Sequence, residues 1–238
     1  MGFTNDCEKQ AQLSAPMQAL HRAVLRAFLG EDAPPTVLWL NREAERLSLD
    51  PDEAIGGFAD ANLVRVAGDS VVVAYPFSGL PTAHRVHPRS HRPVWAMCAI
   101  DALGVLLMTA DDGIVVSSDP DTAAPIRVER RDGRWLWEPE ETVVVIGACE
   151  SAAEGLCSQI NFHTDANCAE AHLSAPGGGR RPGPRSAHRC RAGRPNLRPS
   201  AQWIGPVHLS RADGVLGTDR FAAGGFPVLP PHVMAGWA

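Results

Sequence analysis

Cys98 and Asp101 stand three residues apart in WAMCAIDALGVLLM, residues 95–108, a run that otherwise reads as core. A carboxylate placed there needs a partner or a job, because an unpaired buried charge costs several kcal/mol. If residues 96–107 are helical, the pair are i and i+3, on one face, with Cβ atoms about 5–6 Å apart. Cys98 is then expected in the first turn, where free amides and the helix dipole favour the thiolate. The charge of Asp101 acts the other way and raises the thiol pKa. Such a pair is a poor plain nucleophile. It makes chemical sense if the carboxyl carries a proton, or if a soft cation sits between the two groups. Thiolates select soft metals, and mercury is softer than any physiological one. The competing reading is structural: Cys98 packs in the core while Asp101 caps a chain end or reaches solvent.

The remaining cysteines, Cys7, Cys149, Cys157, Cys168 and Cys190, form no CxxC pair. A structural zinc finger is therefore not expected, and neither is a disulfide framework. All six are expected to be free thiols, with Cys149 and Cys168 as packing or surface residues. His84, His87 and His91 cluster in PFSGLPTAHRVHPRSHRPV, residues 76–94. Their irregular spacing, with no acid or thiol beside them, reads as a solvated connection instead of a metal site.

The elements that must position these groups are legible from periodicity. MQALHRAVLRAFL repeats apolar residues at helical spacing, and TVLWLNREAERL forms a second segment. SLDPDEA opens a third, with Asp50 as N-cap before Pro51. LVRVAGDSVVVAYPF reads as two strands around a Gly-Asp turn. Three helices followed by a hairpin is the order of a winged-helix unit. GIVVSS, PIRVER, WLWEPE and TVVVIGA then read as strands of an antiparallel or mixed sheet. LCSQINFHTDANCAEAHL gives a strand, a turn and a short helix. The fold class expected is α+β. A winged-helix-like domain covers residues 1–75, a connection 76–92, a second domain 93–175, and an atypical tail 176–238.

Composition limits the function classes. Hydrophobic content of 45% and charged content of 21% are those of a globular chain. No run approaches the ~20 apolar residues of a membrane span. The acidic, polar start MGFTNDCEKQ argues against a secretory signal and for a cytoplasmic protein. Seven Arg and no acid fall in residues 175–200; setting them aside takes the net charge from −5 to −12. An acidic body is not expected to bind nucleic acid. Pro, Gly and Arg in APGGGRRPGPR, without periodicity, suggest a disordered or weakly structured tail.

WAMCAIDALG resembles the first active-site motif of the organomercurial (alkylmercury) lyases. LCSQINF resembles their second, a Cys followed by an Asn-Phe or His-Phe pair. The two motif cysteines are 59 positions apart, which fits the family's gap. PFSGLPTAHRV and SSDPDTAAPIRV are similar to the family's interdomain segment and β-turn, and the similarity spans roughly residues 20–175. The resemblance implies protonolysis of a carbon–mercury bond, R–Hg⁺ plus a proton giving RH and Hg²⁺. It makes Cys98 and Cys157 the thiols that hold mercury and Asp101 the carboxyl that helps deliver the proton. It implies no resident cofactor, a need for exogenous thiols in turnover, and release of Hg²⁺ to a mercuric reductase or small thiols. Neither nucleic acid nor a membrane is an expected partner.

The sequence departs from the family in places. A further cysteine of the family's β-turn is replaced by Ser118, Asp119 and Pro120. Ser158 stands where some members have a second cysteine, and His163 where an aromatic residue is usual. Near residue 175 the helix begun by AEAHLSA gives way to the Arg-rich tail, as in a shifted reading frame or a lineage-specific extension. The rival reading is a non-enzymatic, thiol-based metal-responsive regulator built on the winged-helix unit.

Overall fold

Helix α1 (Ala15–Gly30) places Leu20, Val24, Leu25 and Phe28 on one buried stripe, the stripe its periodicity predicts. The computed structural model describes residues 12–30, 33–146, 156–174 and 202–204. Cys7, Cys149, Cys190 and most of the tail lie outside these residues. The chain forms two compact units, divided between Pro81 and Thr82.

In the first unit, α2 (Val37–Arg46) starts at Thr36, whose hydroxyl accepts the Trp39 N–H at 3.1 Å. Helix α3 (Pro51–Asp60) starts at Asp50, whose carboxylate accepts the Glu53 N–H at 3.0 Å, and Pro51 fills the first helical position. β1 (Val64–Ala67), β2 (Ser70–Ala74) and β3 (Phe77–Ser78) follow as an antiparallel meander. The Gly-Asp pair makes the β1–β2 turn as expected. Phe28 and Phe77 stack with centroids 5.4 Å apart, tying α1 to the meander.

The second unit begins with β4 (His84–Pro88) and β5 (Val94–Ala96), followed by α4 (Ala99–Met108). β6 (Gly113–Ser118), β7 (Pro125–Arg131) and β8 (Arg134–Glu138) extend the sheet, whose order here is β5-β4-β6-β7-β8, antiparallel throughout. The stretch 76–92, expected as a connection between domains, thus supplies β3 and β4. Helix α4 buries Ala99, Ala102, Val105 and Leu106 and packs on β4, β5 and β6. Gly113 permits this approach: a Cβ there would lie 2.5 Å from the His87 carbonyl oxygen and 2.7 Å from Leu106 Cδ2. The β7–β8 hairpin turns on Asp132 (φ 51°) and Gly133 (φ 73°), the Asp-Gly pair that a two-residue turn with both φ positive favours.

A second, three-stranded sheet consists of β9 (Val143–Ile146) between β10 (Ile160–His163) and β11 (Gln202–Ile204), both antiparallel to it. Helix α5 (Ala166–Ser174) covers it through Ala169 and Leu173 against Val143 and Val145. The tail, expected to be disordered or weakly structured, therefore provides one short strand after its Arg-rich stretch. β9 has one edge taken by β10, and β11 satisfies the backbone groups of the other. Among the described residues no helix is long and apolar enough to cross a membrane. The architecture is mixed α+β.

Candidate active site

β5 delivers the chain in extended form into Cys98, which keeps that geometry (φ −153°, ψ 178°) and is the N-cap of α4. The Cys98 sulfur accepts the Asp101 N–H at 3.4 Å. The Asp101 carboxylate reaches back, and its Oδ2 accepts the Cys98 thiol at 3.0 Å. This pairing of N-cap and third helical residue resembles a capping box, except that the carboxylate accepts the side-chain thiol instead of the N-cap backbone N–H. It corrects the expected placement of Cys98 inside the first turn: the extended backbone arriving from β5 continues through Cys98, and the helix begins at Ala99, three residues later than expected. The Thr82 hydroxyl fixes that entry by donating to the Ala96 carbonyl at 2.7 Å.

Cys157 arrives from the other sheet. It lies in a short 3₁₀ turn, Leu156–Gln159, that leads directly into β10, and α4 packs against β10. Its thiol lies 3.7 Å from the same oxygen, Asp101 Oδ2. The two sulfurs and the carboxylate oxygen all lie within 4.8 Å of one another. Cys98 is buried, whereas Asp101 and Cys157 are half-buried.

Electrostatics here run against the helix dipole. Burial, the hydrogen bond with Cys157 and the charge of Asp101 all push the Cys98 thiol well above its usual range. The expected thiolate stabilisation at the helix start is thus outweighed. Cys98 therefore holds its proton at neutral pH and directs it at Asp101 Oδ2.

His84 was expected in a solvated connection and instead is buried, 2% exposed. It sits on β4, where strand alternation turns it inward. Its Nδ1 pairs with Ser117 Oγ at 2.9 Å, it bonds the Asn161 side chain, and its ring meets Phe162 edge-on at 5.7 Å. It therefore joins β4, β6 and β10 and helps hold the strand that follows Cys157. The alternating buried pattern in HRVHP was the signal for this. His87 is half-buried and His91 exposed, and neither belongs to a metal-ligating group among the described residues.

Burial pushes His84 down to about 4, against an upward pull from Asn161, and burial with the nearby charge of Arg22 pushes His21 down to about 4. Both rings are neutral in the fold and would gain a proton on unfolding below the usual value of 6.5. The stability they contribute is complete above pH 6.5 and is lost as pH falls from there toward 4. The loss should approach about 3 kcal/mol per ring. Urea unfolding measured from pH 7 down to pH 4 checks it; a flat transition midpoint would contradict the burial.

Other expectations fare differently. Cys168 is disulfide-bonded and not a free thiol, which removes it as an alternative ligand. Cys149 lies outside the described residues. Where a cysteine was missed in the β6–β7 turn, Asp119 ties that turn to the end of β10 by accepting the Thr164 N–H at 3.0 Å.

Two thiols and one carboxylate thus form a compact group of metal-ligating atom types on an α+β scaffold. Residues 77–182 match the family model "MerB: Alkylmercury lyase". The resemblance carried by the two motifs is thereby upheld over that span, which includes Cys98, Asp101 and Cys157. A solved structure described as the mercury-bound form of MerB2 is similar with a TM-score of 0.58 and 22% identity, covering 72% of this chain and 86% of that one. At that identity the likeness establishes the fold. No curated protein matches.

Proposed function

We propose that the chain is an organomercurial lyase that cleaves R–Hg⁺ at Cys98, Asp101 and Cys157. The observation that carries this reading is the convergence of both motif thiols on one carboxylate oxygen, at 3.0 and 3.7 Å. Mercury enters as substrate. One thiol bonds it and gives up its proton to Asp101. The second thiol adds its electron density, which makes the mercury-bound carbon more basic. Asp101 then protonates that carbon as the carbon–mercury bond breaks. The balance is R–Hg⁺ plus two thiols giving RH, a mercury bis-thiolate and one proton. Exogenous thiols regenerate the site by exchange, with a mercuric reductase or small thiols receiving Hg²⁺. Incubation with phenylmercuric acetate and excess thiol should release benzene, measured by gas chromatography. No benzene above the protein-free rate would end this reading.

The N-terminal unit belongs to the same proposal as a winged-helix-like domain that does not read DNA. The order α1-α2-α3-β1-β2 supports the first half. The composition of α3 supports the second: it carries Asp52, Glu53 and Asp60 and no Lys or Arg, so it would repel phosphates. Mobility shift of a mixed-sequence duplex should show no binding at micromolar protein. Salt-sensitive binding there would favour a regulator.

A further inference from the structure

A second cluster lies on the β6–β7 turn, apart from the thiols. Asp119, Asp121 and His163 bring one ligand atom each within 4.8 Å of one another. His163 is the last residue of β10 and is 0% exposed. Neither of its ring nitrogens has a hydrogen-bond partner among the described residues. Its Nδ1 faces Asp119 Oδ2 at 3.6 Å, beyond hydrogen-bond reach. The imidazole and the carboxylate attract each other at this distance, and the carboxyl is held below its usual range partly by His163, but no well-formed hydrogen bond joins them, so an ion fits between. Two ligands held ~2.1 Å from a tetrahedral ion sit about 3.4 Å apart, which is close to the separation found.

The donor atoms allow it. Asp119 Oδ1 accepts the N–H groups of Asp121 and Thr122, each at 3.0 Å. Oδ2 accepts the Thr164 N–H at 3.0 Å, with the Thr164 hydroxyl at 3.4 Å. These bonds fix the carboxylate, and a lone pair of Oδ2 remains on the side of His163. Asp121 is already oriented from behind: His172 on α5 holds its Oδ2 through Nδ1 at 2.8 Å, the outer-partner arrangement common around metal ligands. The His172 ring also lies 4.8 Å from that of His163.

We propose that Asp119, Asp121 and His163 form a binding site for a borderline divalent cation of the zinc type, with His172 as a positioning residue. Two carboxylates and an imidazole suit such an ion, unlike the two-thiol centre. The bound ion would clamp the β6–β7 turn to β10 and α5.

The test uses the full chain with Zn²⁺ and, as a spectroscopic substitute, Co²⁺. One equivalent should bind, and that binding should survive replacement of both Cys98 and Cys157 by Ser. The Co²⁺ spectrum should show ligand-field bands without a thiolate charge-transfer band. Asp121→Asn, at an exposed turn position, and His163→Gln should each weaken binding about tenfold or more, and Zn²⁺ should raise the melting temperature of the parent but not of Asp121→Asn. If His163→Gln fails to fold, Asp121→Asn alone decides. Undiminished affinity in that variant, loss of binding with the two thiols, or a thiolate-dominated Co²⁺ spectrum would overturn the proposal.

Discussion

Cys157→Ser is expected to abolish release of RH from phenylmercuric acetate, and Cys98→Ser to do the same. An alcohol at neutral pH neither ionises readily nor binds a soft cation strongly, so each variant lacks one of the two sulfurs that the proposed reaction requires. The fold offers a control on this interpretation. Cys98 is the N-cap of α4, and serine is among the best N-cap residues, so Cys98→Ser should melt no lower than the parent. Loss of activity with an unchanged melting temperature would then be chemical. Cys157 lies half-buried in a short turn, where a one-atom change leaves no sizeable cavity. Near-normal turnover by Cys157→Ser would remove it from the site. Cys168 could not replace it, being disulfide-bonded.

Asp101→Asn should separate binding from cleavage. The amide keeps the shape of the carboxylate and leaves both sulfurs in place, so mercury binding should persist. It cannot take a thiol proton or donate one as an acid, and general acid–base help of this kind is worth ~10²–10⁴-fold. Single-turnover release of benzene should fall by about that factor, while the stoichiometry of bound mercury stays unchanged. An unchanged single-turnover rate would show that the proton comes from elsewhere. A variant that also lost mercury would show that Asp101 serves chiefly to shape the pocket. Because Asp101 Oδ2 faces both thiols, its removal should also lower the pH at which Cys98 reacts with an alkylating agent. The carboxylate charge is one of the causes that push this thiol up.

The sequence by itself determined the local structure and half of the site. Asp50, Pro51 and Thr36 mark helix starts through side-chain oxygens and a fixed φ, both properties of the residues alone. Asp132–Gly133 marks a hairpin for the same reason. Cys98 and Asp101 fall on one helical turn because three residues of spacing allow nothing else in a helix. What only the tertiary structure decided is everything that depends on distant chain segments meeting. Cys157 joins the pair because β10 lies against α4, and no local pattern specifies which strand does so. The direction of the Cys98 titration was decided the same way: the helix start, an apolar setting and the opposing charge of Asp101 could be read from sequence, but the facing Cys157 thiol and the balance among them could not. His84 read as solvated from its Pro-rich and Arg-rich neighbours, yet pairing of β4 with β6 turned it inward onto Ser117. The tail read as disordered or weakly structured from composition, and the open edge of β9 gave three of its residues backbone partners. His163 and Asp119 are ordinary residues in their own segments. They face each other because one closes β10 and the other follows β6, and long-range packing, which carries no signature in either segment, sets the distance between them.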